Sequence, residues 1–275
     1  MSAPSAVIVA PAEARVPDGT RERFRWAITD ALTVTGRNLR NYVRIPESLF
    51  FSSVQPVMFV LLFRYVFGGA IQAPGGSYVN YLIPGIFVQT VAFGAVATSI
   101  GLAEDLQKGI VERFRALPMA RSAVLAGRTL ADLVRNVLVV VLITGVGYAV
   151  GFRVQTAALP FIAGLGMILL FAYALSWGFA VIGLSAPNSE TAQVMAFPLL
   201  FPLTFASSAF VPVRDMPHWL QGFANHQPVS VVVNTARALM LGGPTASFVW
   251  QSLAWTAGII VVLAPIAVRR YRRRS

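Results

Sequence analysis

Apolar residues in this chain come in long runs rather than in alternation with polar ones. No charged residue occurs between Tyr65 and Ala103, or between Val154 and Ser189. Each stretch exceeds the roughly 20 apolar residues with which an α-helix crosses a bilayer. The pattern places spans at residues 48–66, 81–102, 133–151, 159–184, 194–213 and 248–268. Residues 216–241 are also apolar, but His218, Asn225, His226, Pro228, Asn234 and Arg237 interrupt them. That segment predicts two short helices, a hairpin dipping back into the outer leaflet, whose non-helical backbone must be covered by protein. Ahead of the first span, Phe24, Ile28, Leu32, Leu39 and Val43 recur near the 3.6-residue period, with arginines largely on other faces. Residues 21–44 therefore read as a basic amphipathic helix in the membrane interface; an ordinary solvated helix is the alternative. The expected fold is an all-α integral membrane protein with six transmembrane helices.

Composition narrows the class. Of 275 residues, 56% are hydrophobic and 12% charged, about half the charge of a soluble domain, so one membrane domain over residues 21–275 fits the chain. Residues 1–20, rich in Ala, Pro and Ser, predict a disordered cytoplasmic tail rather than a signal peptide. The net charge of +11 does not signal nucleic acid, because the basic residues flank the apolar runs. Arg15, Arg21, Arg23, Arg25, Arg37, Arg40 and Arg44 precede the first span, and Arg269, Arg270, Arg272, Arg273 and Arg274 follow the last. Positive charge collects on the cytoplasmic side, so both termini are expected there, which requires an even number of crossings. Lys108, Arg113, Arg115, Arg121 and Arg128 after the second span agree; the loop after the first has no basic residue and that after the third only Arg153.

The residues also limit the energy source. A proton-coupled carrier needs an ionisable group within the membrane, and the acidic residues fall at span edges, in cytoplasmic segments, in the tail or, for Asp215, in the outer loop. Asp132 is the deepest; its helical spacing from Arg128 and Arg135 favours a local ion pair over a relay. The phosphate-binding pattern Gly-x-x-x-x-Gly-Lys-Ser/Thr is absent, as are the Gly-x-Ser-x-Gly and His-Glu-x-x-His patterns of hydrolytic enzymes. No nucleotide cofactor is expected in the chain itself. Without cysteine there is no thiolate metal site, and His218 and His226 lack a third ligand, so no metal centre is expected.

Residues 104–118 form the charge-dense segment between the first and last spans. Leu106, Ile110, Phe114 and Leu117 share one helical face, Asp105, Lys108, Glu112 and Arg115 take others, and Pro118 stops the helix. Such a helix fits a groove on a soluble partner or rests on the lipid surface. Here the chain resembles the ABC-2 type transporter permeases, especially the daunorubicin/doxorubicin-resistance permeases. The residues that carry the resemblance are Glu104-Asp105, Gly109, Glu112-Arg113-Phe114, Leu117-Pro118 and Gly127-Arg128, then Pro217-His218-Trp219-Leu220, His226 to Ser230 and Gly242-Gly243.

The resemblance implies a permease in a bacterial cell membrane that pairs with a second copy or a related permease. It also implies two copies of a cytoplasmic ATPase that hold ATP and Mg. Glu104 to Pro118 would be the cytoplasmic coupling helix, with Gly109 permitting close approach and Phe114 as the main apolar anchor. The cargo would be a hydrophobic drug or a lipid, with a lipid-linked polysaccharide as the alternative and an ATPase-independent channel or carrier as a different class. The family architecture places the path along a dimer seam lined by spans two and five. Phe87, Gln89 and Phe93 lie in the former, and Phe197, Phe201 and Phe205 recur every four residues in the latter. Aromatic stripes of this kind serve guests or simply pack helices and face lipid.

Overall fold

The computed structural model describes residues 20–44, 46–71, 73–74, 76–110 and 121–273. Apart from Thr20, the predicted tail lies outside them. Among the described residues there is no strand, and the helices are α1 (Thr20–Arg44), α2 (Pro46–Leu62), α3 (Tyr78–Gln107), α4 (Arg121–Ala149), α5 (Ala158–Ser185), α6 (Ser189–Phe205), α7 (His218–His226), α8 (Pro228–Leu241) and α9 (Ala246–Arg273). A π-helical turn, Phe63–Phe67, extends α2.

The central element is α3, apolar around its whole circumference and packed against α2, α4, α5, α6 and α8. Its Leu82, Ile83, Ile86, Phe87, Val88 and Val91 are fully buried, and Ile168 and Phe171 of α5 complete the same core. By contrast α9 leaves Trp250, Trp255, Val261 and Val262 exposed, the signature of a lipid-facing helix rather than a water-facing one. In α1, Ala31, Val34, Thr35 and Asn38 are buried while Ile28 and Leu32 remain exposed. Of the apolar stripe predicted for this helix, Ile28 and Leu32 thus point away from the protein, as an interfacial helix requires.

Among the described residues, four helices are long and apolar enough to cross a bilayer: Tyr78–Gln107, Ala123–Ala149, Ala158–Ser185 and Ala246–Arg273. The other two predicted spans are shorter. The 17 residues of α6 rise about 25 Å, less than the ~30 Å hydrocarbon core. The expected span 194–213 is therefore corrected: the helix starts earlier, at Ser189, where the Asn188 side chain accepts from the Thr191 N–H, and it ends at Phe205. Pro198 and Pro202 remove two backbone donors from it, and the turn after it is held by other elements. The apolar segment that follows folds as two short helices, α7 and α8, as its polar interruptions predict.

That turn, residues 206–212, is buried non-helical backbone, and its polar groups are accounted for. The Tyr81 hydroxyl donates to Ser208 O at 2.9 Å and that of Tyr78 to Phe210 O at 3.2 Å. Arg237 of α8 donates through Nη2 to Ser208 O at 2.6 Å and Ala209 O at 3.0 Å, and through Nε to Tyr81 O at 2.9 Å. Its guanidinium stacks 3.5 Å from the centroid of the Tyr81 ring. The Ser208 N–H donates to Ser230 Oγ at 3.0 Å, and Gln227 Nε2 to Leu203 O at 2.9 Å. Gly85 of α3 lets the turn approach: a Cβ there would overlap the Ala209 backbone. The hairpin is further tied to the α4–α5 loop by Thr156 Oγ1 on Leu239 O (2.7 Å) and the Gln155 N–H on Met240 O (3.0 Å).

Arg237→Leu should remove a donor from three carbonyls, of which Ser208 O keeps the Tyr81 hydroxyl, at about 1–3 kcal/mol for each one left unpaired before relaxation. We expect a loss near 3 kcal/mol, read as a lower melting temperature of the purified protein in detergent. Arg237→Lys, without the planar fork, should recover only part of it. An unchanged melting curve for the leucine variant would refute the clasp.

Candidate functional site

The C-terminal end of α3 is where the segment expected to receive a partner begins. Glu104 and Asp105 belong to its last turn, and the helix stops at Lys108–Gly109. The Gly109 N–H donates to Leu106 O at 3.2 Å, and Gly109 has φ 64°, the left-handed conformation that favours glycine after a helix. The single helix expected over 104–118 is thereby corrected: Leu106 and Ile110 do not share a continuous helical face, and Gly109 acts as a helix terminator. Glu112, Arg113, Phe114, Leu117 and Pro118 lie outside the described residues. Glu104 forms an exposed pair with Lys108 at 3.3 Å.

Asp105 turns inward. Its Oδ2 lies 2.7 Å from Arg128 Nη1 of α4 and 3.6 Å from Arg37 Nη2 of α1, joining three helices. Thr35 Oγ1 of α1 donates to Gly127 O of α4 at 3.0 Å beside it. Arg128 therefore pairs with Asp105 rather than with Asp132, which instead accepts from Thr98 Oγ1 of α3 at 2.5 Å and is fully buried. Arg128 reaches Asp105 across Gly101, whose Cα faces the guanidinium so closely that a Cβ would collide with it. One heptad outward the arrangement repeats: Arg135 Nη2 donates to Gly94 O at 2.7 Å, and a Cβ at Gly94 would sit 2.9 Å from both Arg135 Nη2 and Asn136 Oδ1.

Between α2, α3, α4 and α6 lies a cavity of about 210 Å³. Its wall includes Gln89 and Phe93 of α3 and Phe197 of α6, three residues expected on the path, together with Gln55, Phe59, Thr90, Arg135, Asn136 and Gln193. Phe87 is not part of it; it is fully buried in the core. The reason is angular: Gln89 and Phe93 are four residues apart on one face, whereas Phe87 lies two residues from Gln89, about 200° around the helix.

From the cavity a ladder of phenylalanines climbs outward. Phe93 meets Phe197 at 6.4 Å and Phe201 at 5.9 Å. Phe201 stacks on Phe205 at 5.3 Å, Phe205 on Phe210 at 5.5 Å, and Phe210 on Phe63 at 4.5 Å. Phe63 then meets Phe67 in the π turn at 5.2 Å. Phe201 and Phe205 are on this ladder and partly exposed, outside the cavity wall.

Sequence reasoning missed Arg135, Asn136, Gln55 and Gln193. Arg135 looked like an edge residue because its apolar span begins at 133, but α4 starts at Arg121, twelve residues earlier. The i, i+7 repeat of Arg128 and Arg135 opposite Gly94 and Gly101 was the available signal. Of the two histidines, His226 Nδ1 contacts its own helix at Gly222 O, 2.8 Å, and no group of three metal-ligating residues occurs among the described residues.

Bilayer-length apolar helices around a buried cavity define a multi-pass membrane protein of the transporter kind. The chain belongs to the ABC-2 type transporter family, whose model matches residues 29–241. It is 33% identical over 259 residues to the daunorubicin resistance ABC transporter permease protein DrrB1 of Streptomyces coeruleorubidus, covering 94% of this chain and 91% of that one. The probable doxorubicin resistance ABC transporter permease protein DrrC of Mycobacterium tuberculosis is 28% identical over 267 residues, 96% of this chain and 95% of the relative. The inner membrane transport permease YadH of Escherichia coli K12 is 25% identical over 198 residues, 69% and 75% of the two chains. Membership implies association with an ABC ATPase and dimerisation.

The side chains of Asp105 and Arg128 are 20% and 15% exposed, so their ion pair is screened less than a surface pair. A double-mutant cycle of Asp105→Ala and Arg128→Ala should give a coupling energy of about 1 kcal/mol in thermal stability. Strict additivity would mean that the pair does not hold the joint.

Proposed function

We propose that this chain is the membrane-spanning permease subunit of an ATP-driven exporter that moves amphipathic drugs or lipids out of the cytoplasm or the inner leaflet. Identity to a daunorubicin resistance permease along nearly the whole chain carries the reading. The aromatic cavity and the ladder leading outward from it supply surfaces suited to such guests. In this reading six crossings leave both termini in the cytoplasm. The sum is α2 with its π turn, α3, α4, α5, α6 completed by the clasped turn, and α9. One membrane domain extends over residues 21–275 behind a cytoplasmic tail.

The permease pairs with a second copy or a related permease and receives two copies of a cytoplasmic ATPase, in which ATP and Mg are bound. The segment from Glu104 to Pro118 receives that partner. Phe114 is its apolar anchor, with Glu104, Glu112, Arg113 and Leu117 beside it, while Asp105 passes the partner's movement to α1 and α4. Gln89, Phe93 and Phe197 hold the guest, and Phe201 and Phe205 conduct it outward.

Affinity purification of the tagged permease from its native membrane should bring down a stoichiometric ATP-binding protein whose turnover rises with candidate drugs or lipids. A pure chain without that partner in several mild detergents would sink the exporter reading. Phe114→Asp should abolish recovery of the ATPase while leaving the permease melting temperature unchanged; undiminished complex would refute its role as anchor. Phe201→Ala should lower drug-stimulated hydrolysis several-fold more than basal hydrolysis. Equal loss of both would make the ladder a packing element.

A further inference from the structure

The cavity is not uniformly apolar, and its polar half is built deep in the protein. Gly94, which anchors Arg135, lies 16 residues after Tyr78 and 13 before Gln107, close to the middle of α3. A guanidinium at that depth is costly to desolvate and marks a functional site by default. Arg135, Asn136 and Gln89 are all more than nine-tenths buried, and all three line the cavity. Among the described residues, Arg135 is the one ionisable side chain on its wall. Asp132, one turn earlier on α4, accepts from Thr98 and does not line it.

Thr90 supplies an independent observation. Four other threonines of the bundle return their hydroxyls to a carbonyl of their own helix, Thr144 to Val140 O, Thr204 to Leu200 O, Thr235 to Val231 O and Thr256 to Ser252 O, at 2.7 to 2.9 Å, and Thr98 donates to Asp132. Thr90 Oγ1 is buried on the cavity wall and has no hydrogen-bond partner. An orphaned hydroxyl of this kind normally belongs to a group that is satisfied when a ligand or water is present.

Building on the exporter reading, we infer that this half of the cavity is a head-group subsite for guests whose polar end is an anionic or carbonyl-type oxygen acceptor, with Arg135, Asn136, Gln89 and Thr90 as its donors. Guanidinium has donors only, and it repels an amine at the same point. The volume of about 210 Å³ is smaller than a drug-sized pocket, roughly 300–1,000 Å³, so the subsite takes one end of the guest. The apolar body extends over Phe93 and Phe197 toward the ladder.

The test is binding of three probes that share one aromatic body, pyrenebutyrate, pyrenebutanol and pyrenebutylamine, to the full-length permease in phosphatidylcholine nanodiscs, against protein-free discs. Pyrenebutyrate should bind about tenfold tighter than the amine, the scale of one charge-assisted hydrogen bond. Arg135→Gln should erase that preference. Thr90→Val, which removes one proposed donor with little change of shape, should reduce it if the arginine variant does not fold. Phe197→Ala should weaken all three probes alike. Competition by phosphatidylglycerol in the discs would identify a lipid phosphate as the acceptor source, and its failure a soluble guest. Equal affinities, a preference for the amine, or no binding would overturn the subsite. No ATPase is needed for the measurement, so such a result would leave the exporter reading standing on its own test.

Discussion

A membrane tolerates no unpaired peptide group, and one break in the helical framework sets much of the rest. α6 stops at Phe205, within the bundle, and residues 206–212 continue as buried turn. Their carbonyls need donors that α6 cannot supply. α3 contributes two tyrosine hydroxyls and α8 contributes the fork of Arg237, which also grips α3 at Tyr81 O. An arginine suits the position because its donors diverge in a plane and reach three carbonyls on two elements, which a lysine ammonium at one point does not. The outer hairpin is thereby fixed to the central helix, and α7 and α8 cannot rise from the bundle without stranding the turn.

Charged side chains fasten α3 to its neighbours at several levels. Asp105 joins it to α1 and α4 at its C-terminal end, Asp132 and Arg135 join it to α4 nearer the middle, and Arg237 joins it to α8 near its N-terminal end. Apolar packing between helices in lipid is weakly directional, because a lipid tail is as good a neighbour as a leucine. Polar contacts give these helices their register. The cost of placing Arg135 and Arg237 at depth is offset by short hydrogen bonds to backbone oxygen, which cannot titrate away.

Much of the framework was legible in the chain. Long charge-free runs marked α3 and α5, and the polar interruptions at His218, His226, Pro228 and Arg237 marked two short helices. What hydropathy could not show was where a helix ends inside an apolar run. Residues 206–213 are as apolar as a span, and only the donors of α3 and α8, distant in sequence, reveal the turn. The coupling segment differs at one point: periodicity tolerated a helix through Gly109, while the backbone there adopts a conformation that ends one. In the cavity, Gln89, Phe93 and Phe197 were found through spacing along single helices. Arg135 and Thr90 were not, because depth and an orphaned hydroxyl exist only once neighbouring helices are in place.

The two working regions are mechanically one. Gly94 and Gly101 are seven residues apart on α3, and Arg128 and Arg135 are seven apart on the antiparallel α4. Seven residues close nearly two helical turns, so each pair lies along one face and the two faces meet as a seam. Arg128 occupies the inner glycine notch and is held by Asp105; Arg135 occupies the outer notch and lines the cavity. Any slide of α4 along α3 that is large enough to move Arg128 out of its notch also moves Arg135 out of the other, because both ride on one continuous helix. A displacement applied where α3 ends at Lys108 is therefore felt at mid-height as a change in where the guanidinium points. In the exporter proposed above, the same seam carries the reverse effect: a guest held at the proposed Arg135 subsite biases the fit of Arg128 against Asp105.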